Sequence, residues 1–170
     1  MTVKARRAAA ADVSAMCRIC SDGWRETYSG RYSEARIERT IDRFYTPQRV
    51  AGEIDPAPGW DGWWVAVDDA EQVVAAGGGG MTGPETGEIF VLYADPTRRR
   101  QGAGTALLDA ITAVQVGRGA REQWVAVAEG NDKGIPFYEA RGFIRRGTRP
   151  PYETDEPEAA DSVLFWRRLA

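Results

Sequence analysis

The feature that most constrains this chain is a strand that runs into a glycine turn and then into a helix, over residues 87–111. The segment GEIFVLYAD is rich in β-branched and aromatic residues and predicts a strand. Apolar residues then recur at helical spacing from Ala103, and Gly117 marks the end of that helix. A turn of this kind directs free backbone N–H groups and the positive end of the helix dipole at one point. The stretch therefore predicts an anion-binding site.

The residues of the turn favour a phosphate as the anion. Gly102 and Gly104 have no side chain to block close approach, and Arg99 and Arg100 can add charge-assisted hydrogen bonds. Arg98 and Arg100 have two interpretations, as contacts to an outer phosphate of a nucleotide or as a solvated rim.

Three phosphate-binding patterns compete for this turn. A Walker-type loop needs a lysine that the turn lacks. A dinucleotide fingerprint needs a third glycine where Leu107 stands, and it normally opens a chain. The pattern Arg-x-x-Gly-x-Gly, over residues 99–104, fits without exception.

Composition restricts the partners. With 170 residues, 43% of them hydrophobic, the chain can bury one core, and we expect residues 1–170 to form a single domain. A net charge of −3 with scattered basic residues gives no case for nucleic acid. There is no apolar run of about 20 residues and no signal-peptide core, so we expect no membrane contact, a cytoplasmic location and a small partner.

Two cysteines and the absence of histidine narrow the chemistry further. Cys17 and Cys20 form a C-x-x-C, but no histidine or second cysteine pair accompanies them, and both lie on the apolar stripe of a predicted helix. We therefore expect core packing and no metal site. Without histidine, catalysis would use carboxylates, tyrosine, backbone amides or cysteine.

The whole pattern predicts a mixed α/β fold with the order β-α-α-β-β-β-α-β-α-β-β. The predicted strands are 3–8, 63–67, 72–80, 87–95, 123–128, 143–147 and 162–169. The predicted helices are 12–28, 33–44, 103–117 and 135–141, and residues 46–62 are predicted as a Pro- and Gly-rich loop.

Two motifs resemble those of the GNAT superfamily of N-acetyltransferases. GEIFVLYADPTRRRQGAGTALLDAI is similar to its acyl-CoA-binding motif, and NDKGIPFYEARGF is similar to the motif that follows. The element order agrees over almost the whole chain. The resemblance implies a mostly antiparallel mixed sheet with splayed central strands. It also implies acetyl transfer from acetyl-CoA to a primary amine by direct attack in a ternary complex.

The same resemblance assigns residues to the cofactor. The pyrophosphate would meet Arg99, Arg100 and the amides of Gln101, Gly102, Ala103, Gly104 and Thr105. The splayed strand at Leu92 and Tyr93 would receive the pantetheine arm, with the Leu92 amide polarising the thioester carbonyl. Asn131 would contact the arm or cap the following helix.

The catalytic residues follow from the second motif and from the central strand. By resemblance Tyr138 is the general acid for the thiolate, although it could simply pack beside Phe137. Glu88 stands where the histone-acetyltransferase branch has a glutamate and is a candidate base. Glu129 is the reserve candidate, and an amine that arrives neutral would need no base.

The acceptor is the least determined part. The segment between the first two helices offers Trp24, Tyr28 and Tyr32, and residues 150–161 are acidic (Glu153, Asp155, Glu156, Glu158, Asp161). Aromatic rings and carboxylates together suit a cationic small molecule or a peptide N-terminus. The alternative is that these rings pack in the core and that the acidic loop is only solvated. Trp60, Trp63 and Trp64 fit either the wall of a pocket or packing against a strand.

Two other functions compete with the enzyme. One is a non-catalytic acyl-CoA sensor or scaffold, which would not require Tyr138. The other is a small nucleotide-binding oxidoreductase, which would bind NAD rather than acetyl-CoA. Pairing of edge strands between subunits makes a homodimer a further expectation by analogy.

Overall fold

The fold was analysed in a computed structural model, which describes residues 2–99, 101–149 and 162–169. Its strands are β1 (Lys4–Arg7), β2 (Trp64–Val67), β3 (Val73–Gly83), β4 (Thr86–Ala94), β5 (Glu122–Ala128), β6 (Ile144–Arg149) and β7 (Ser162–Arg168). Its helices are α1 (Val13–Tyr28), α2 (Glu34–Phe44), α3 (Pro47–Gly52), α4 (Ala103–Gly117) and α5 (Gly134–Glu139). A short 3₁₀ turn, Ala10–Asp12, precedes α1.

The strands form one seven-stranded sheet in the order β1-β2-β3-β4-β5-β7-β6. Only the β4–β5 pair in the described sheet is parallel, and the other neighbours are antiparallel. The predicted fold class and element order are confirmed, with one exception.

The exception is α3, which lies in a segment predicted as loop. Thr46 caps this helix by accepting a hydrogen bond from the amide of Arg49, and Pro47 stands in its first turn. Both are ordinary helix-start signals. The loop prediction was wrong because the prolines and glycines farther along the segment outweighed this short start.

The two faces of the sheet carry different helices. α1 packs on one face, where Met16, Cys17 and Cys20 belong to the same buried cluster as Val65 and Val67 of β2. α4 covers the other face, where Leu107 and Leu108 are fully buried among strand residues. The sheet therefore separates an α1 face from an α4 face, and anything bound between two strands can reach both.

A bulge in β4 opens the sheet at its centre. Gly78 and Gly79 of β3 face Val91 and Ile89, so Phe90 is an extra residue in β4. The parallel pairing of β4 with β5 ends at this bulge, with Ile89 opposite Val125, although both strands continue. The predicted splay of the central strands is therefore present.

The glycine run of β3 makes room for neighbouring groups. A methyl group on Gly78 would lie 2.8 Å from Cζ3 of Trp60, so glycine leaves room for the outer edge of this ring. On the α4 face, a methyl on Gly79 would lie 2.9 Å from Nε2 of Gln115. Glycine here allows an aromatic ring and a buried amide to contact the strand from opposite sides.

Candidate active site

The glycine turn adopts the conformation that an anion site needs. Gly102 has φ +81°, which favours glycine, and a Cβ there would meet nothing within 4 Å. The amide of Ala106 is the first to bond within the helix, to the carbonyl of Gly102. The amides of Ala103, Gly104 and Thr105 come before it and have no intrahelical acceptor. They point at one place, next to the positive end of a 15-residue helix.

Gly104 has a packing role that the sequence did not suggest. A methyl group there would lie 3.0 Å from Cε1 of Phe137 in α5, so the glycine lets α5 pack on the start of α4. Arg141 lies 3.9 Å from the centroid of the Phe137 ring and donates a 3.0 Å hydrogen bond to the hydroxyl of Thr105. The side chain of Thr105 is therefore engaged, and its amide is what it offers to an anion.

The arginines before the turn have separate partners. Arg98 donates a 2.7 Å hydrogen bond to Asp68 in the β2–β3 connection. Arg98 is therefore paired within the protein, and its two interpretations stay predictions. Arg99 binds both oxygens of Glu26 in α1, and one of these hydrogen bonds measures 2.8 Å. Arg100 lies outside the described residues.

Main-chain groups of β4 line the opening between β4 and β5. The amide of Asp95 donates to the carbonyl of Val74 at 2.8 Å, which marks a hydrogen-bonded pair of the β3–β4 ladder. Such pairs alternate along an antiparallel ladder, so Tyr93, two residues earlier, also faces β3. The amide of Leu92, the residue before Tyr93, therefore faces away from β3, toward the opening.

Tyr138 lies beside this opening in a dry, aromatic environment. It is buried in α5, with ring centroids 5.1 Å from Phe137 and 5.3 Å from Phe143. Burial raises the pKa of its hydroxyl well above the usual value, so the phenol is neutral at physiological pH. Although Tyr138 packs on the α4 face, it contributes to the raised pKa of Tyr93, which packs on the α1 face.

Glu88 is buried and ion-paired rather than solvated. Its Oε1 accepts a 2.9 Å hydrogen bond from Arg149 of β6, and its own carbonyl accepts a 2.9 Å bond from the buried Gln115. Glu88 stands opposite Gly80, where a methyl group would lie 3.2 Å from Cε2 of Phe90. Opposed residues share a face, so the carboxyl of Glu88 lies on the α1 face with Phe90. The reserve candidate, Glu129, is exposed beyond the end of β5.

Asn131 acts as a cap. Its Oδ1 accepts hydrogen bonds from the amides of Gly134, at 2.9 Å, and Lys133, at 3.2 Å. The capping alternative for Asn131 is therefore present in the structure. The Nδ2 group of Asn131 is the part of the side chain that could donate a hydrogen bond to a ligand.

The aromatic residues expected near the acceptor form one stack. Ring centroids of Trp24 and Tyr28 are 4.0 Å apart, and those of Tyr28 and Tyr32 are 4.8 Å apart. Burial raises the pKa of the Tyr93 hydroxyl and the nearby Tyr28 adds to this effect, so the stack lies next to a residue of the opening in the sheet. Arg36 lies 4.0 Å over the ring of Tyr32 and occupies that cation–π position. The acidic residues 153–161 lie outside the described residues.

The cysteines belong to the core, as the sequence predicted. Cys17 and Cys20 are free thiols buried in α1, and burial raises the pKa of both. Neither thiol resembles an activated nucleophile, which needs a lowered pKa and access to substrate.

Phe90, Arg149 and Lys133 are site residues that the sequence did not predict, whereas Trp60 and Trp63 were expected near a pocket or a strand. Trp60 stacks with the exposed Phe90 at a centroid distance of 6.4 Å, and Trp63 packs edge-on against Trp60, which fits both interpretations of this cluster. Arg149 and Lys133 carry no local signal, because each acquires its partner only through the fold. The run of four glycines in β3 was the one available sign that a ring would lie on that strand.

The comparisons with known proteins agree with this geometry. The family model described as the acetyltransferase (GNAT) family matches residues 17–143. The chain belongs to the GNAT family of acetyltransferases.

Solved structures share this GNAT fold over nearly the whole chain. PaiA N-acetyltransferase from Thermoplasma acidophilum, in complex with coenzyme A, has a TM-score of 0.82 at 21% identity, covering 99% of this chain and 100% of that one. Ard1 from Thermoplasma volcanium has a TM-score of 0.68 at 20% identity, covering 100% and 99%. A phosphinothricin acetyltransferase from Sinorhizobium meliloti, in complex with acetyl-CoA, has a TM-score of 0.67 at 21% identity, covering 99% and 89%.

The protein is thus an acyltransferase of GNAT type. Within residues 2–99, 101–149 and 162–169, no group of three or more Cys, Asp or Glu residues is arranged to hold a metal ion. The described helices include none that is long and apolar enough to cross a membrane.

Proposed function

We propose that this GNAT enzyme transfers the acetyl group of acetyl-CoA to a primary amine of a small molecule or peptide, by direct attack while both substrates are bound. One observation carries the proposal: the pairing of β4 with β5 stops at Ile89 and Val125, and the unpaired part of β4 runs on to the glycine turn that opens α4. An opening lined by main-chain groups can pair with an extended ligand that carries amides. The glycine turn can bind an anion at the end of that ligand. Coenzyme A joins these two chemical features in one molecule.

The donor set fits this molecule. The residues that would hold it are Leu92 and Tyr93 through the main chain, Gln101, Gly102, Ala103, Gly104 and Thr105 through their amides, and Arg99 and Asn131 through their side chains. Arg100 stays a prediction. When bound, acetyl-CoA supplies the activated acetyl group as a thioester. The Leu92 amide is the donor that we assign to the thioester carbonyl.

We assign Tyr138 as the general acid. Its raised pKa keeps the proton on Oη at physiological pH, and the aromatic rings around it exclude water. A coenzyme thiol resembles cysteine, with a pKa near about 8.5, so a positioned donor is useful without being indispensable. Tyr138 would hold the proton that the departing sulfur takes.

We assign Glu88 as the base, acting through water. It is buried on the α1 face of the sheet, and Trp24 and Tyr28 of the aromatic stack belong to α1 itself. The hydrogen bond from Arg149 engages Oε1 and leaves Oε2 to accept from water or from a cationic amine. Carboxylate and rings together favour a cationic acceptor, either a small amine or a peptide N-terminus. A cytoplasmic location and a homodimer remain predictions from the sequence.

Tyr138→Phe tests the assignment of the acid. We expect turnover to fall by about 10- to 10,000-fold with little change in acetyl-CoA affinity, because the ring packing is kept and the proton is lost. Thiol release with a panel of amines measures turnover, and calorimetry measures affinity. Tyr45→Phe, which removes another buried tyrosine hydroxyl, between α2 and α3 and outside the proposed binding residues, is the matched control for the substitution itself. Unchanged turnover of Tyr138→Phe at saturating substrates would remove Tyr138 from the mechanism.

A further inference from the structure

Three charged side chains from three separate elements meet at the mouth of the opening between β4 and β5. Glu26 lies near the end of α1, Arg99 precedes the turn of α4, and Lys133 stands between β5 and α5. Arg99 binds both oxygens of the Glu26 carboxylate, with 2.8 Å between Nη2 and Oε2, and Lys133 donates to Oε1. One carboxylate therefore joins the β4 side of the opening to the β5 side.

The charges in this group are fixed at physiological pH. The hydrogen bond from Arg99, followed by the one from Lys133, lowers the pKa of Glu26 to about 2 against the opposing effect of desolvation. Glu26 thus presents a permanent anion to two cations. Its side chain is 32% exposed and those of Arg99 and Lys133 are 36% and 56% exposed, so solvent and ligands can reach the group.

The group lies beside the proposed pyrophosphate turn. Arg99 directly precedes the turn whose amides at Ala103 and Gly104 are free of intrahelical bonds. A carboxylate and a phosphate both carry negatively charged oxygens, which accept charge-assisted hydrogen bonds from cations such as these two. Glu26 and a phosphate are therefore alternative ligands for the same pair of cations.

A second contact would keep the end of α1 against the end of β5 if Glu26 moved. Arg31, in the α1–α2 connection, donates to the carbonyls of Glu129 and Gly130 at the end of β5, at 3.4 Å for Glu129. These bonds hold the same segment of chain against the same loop without using Glu26. The carboxylate can change its partners while the loop stays in place.

We propose that Arg99 and Lys133 form a two-cation phosphate site across the opening, and that Glu26 is an internal anion which the cofactor's phosphate must displace. The inference rests on the proposed position of the cofactor. It adds Lys133 to the binding residues and makes Glu26 a determinant of affinity. Replacing the carboxylate should improve binding, which distinguishes this role from a purely structural one.

Calorimetric titration of coenzyme A into the parent protein and Glu26→Gln tests the proposal. Glu26→Gln should bind about three- to tenfold more tightly, because two partly exposed ion pairs no longer compete with the ligand. Glu38→Gln is the matched control. It also removes one negative charge and one bidentate arginine pair, formed by Arg25 at 2.8 and 3.1 Å, and it should bind as the parent does.

A third variant tests the cation that the proposal adds. Lys133→Met should weaken binding of coenzyme A at least about threefold. The gain from Glu26→Gln should shrink in the Lys133→Met background, because one of the two freed cations is then missing. Thermal unfolding without ligand should show a lower midpoint for Glu26→Gln than for the parent, together with a larger rise on adding coenzyme A.

The outcomes separate this inference from the proposed function. A parent protein that fails to bind coenzyme A refutes the proposed cofactor. A parent that binds it, beside a Glu26→Gln variant that binds equally or more weakly, overturns only the displacement by phosphate. Equal tightening in Glu38→Gln would likewise overturn it, because the effect would then be one of general charge.

Discussion

Gly23 in α1 allows the most direct test of how closely the helix packs on β4. A methyl group at this position would lie 2.5 Å from Cδ1 and 2.9 Å from Cγ of Tyr93, both closer than real contacts of a Cβ atom. Tyr93 cannot move aside freely, because its side chain packs against the buried cluster beneath α1 and its backbone belongs to the β3–β4 ladder. Gly23→Ala therefore forces either the helix or the strand to shift.

Two effects of opposite sign decide the magnitude. Alanine is favoured over glycine inside a helix by about 0.5–1 kcal/mol. Overpacking a well-packed contact costs about 1–3 kcal/mol. The steric cost should exceed the helix preference, so Gly23→Ala should lower the free energy of unfolding by about 0.5–2 kcal/mol. For a chain of this size, each kcal/mol lowers the melting temperature by about 2–4 °C.

Gly117→Ala is the matched control, since a methyl group there would meet nothing within 4 Å at the end of α4. The same chemical change should therefore be neutral or stabilising by up to about 1 kcal/mol. Urea unfolding followed by circular dichroism and tryptophan fluorescence measures both variants against the parent. If Gly23→Ala proves as stable as Gly117→Ala, the close contact between α1 and Tyr93 is refuted.

Three further predictions concern charge and thiols. Glu88→Gln should reduce turnover about 100- to 10,000-fold at neutral pH. Glu85→Gln, on the exposed β3–β4 turn, is the control and should leave turnover unchanged. A Glu88→Gln enzyme with the pH–rate profile of the parent would refute the assignment of Glu88 as base. Since the folded pKa of Glu26 lies below its ordinary value, its ion pairs should stabilise the fold fully above about pH 4.5 and lose their effect as pH falls toward about 2. The stability gap between parent and Glu26→Gln, measured by urea unfolding at pH 7 and near pH 3, should therefore be about 0.5–1 kcal/mol at pH 7 and narrow in acid. Cys17 and Cys20 should resist alkylation until the protein unfolds, because both are buried. The Cys17→Ala variant should keep the turnover of the parent. A large loss of turnover in this variant without loss of stability would favour an acyl-cysteine route.

The parts of the fold that the sequence predicted are those with local causes. The strand, glycine turn and helix over residues 87–111 follow from propensities and from the positive φ that glycine permits at Gly102. The burial of Cys17 and Cys20 follows from helical spacing alone.

The parts that the sequence did not predict depend on contacts between distant segments. The bulge at Phe90 fixes where β4 and β5 separate, and a bulge has no reliable local signature. Gly104 was assigned to phosphate approach, but the space beside it is filled by Phe137. Glu26 and Lys133 lie 107 positions apart, and only the closed fold brings them to one place.

The opening between β4 and β5 presents donors that belong to the peptide backbone rather than to side chains. A single substitution can remove an arginine or a tyrosine, but it cannot delete the amide of Leu92 unless it introduces proline. Mutational drift can therefore alter the surrounding side chains, and with them the choice of acceptor, while the opening itself persists. A chain built this way can diverge to 21% identity from PaiA and still keep a fold that superposes with a TM-score of 0.82.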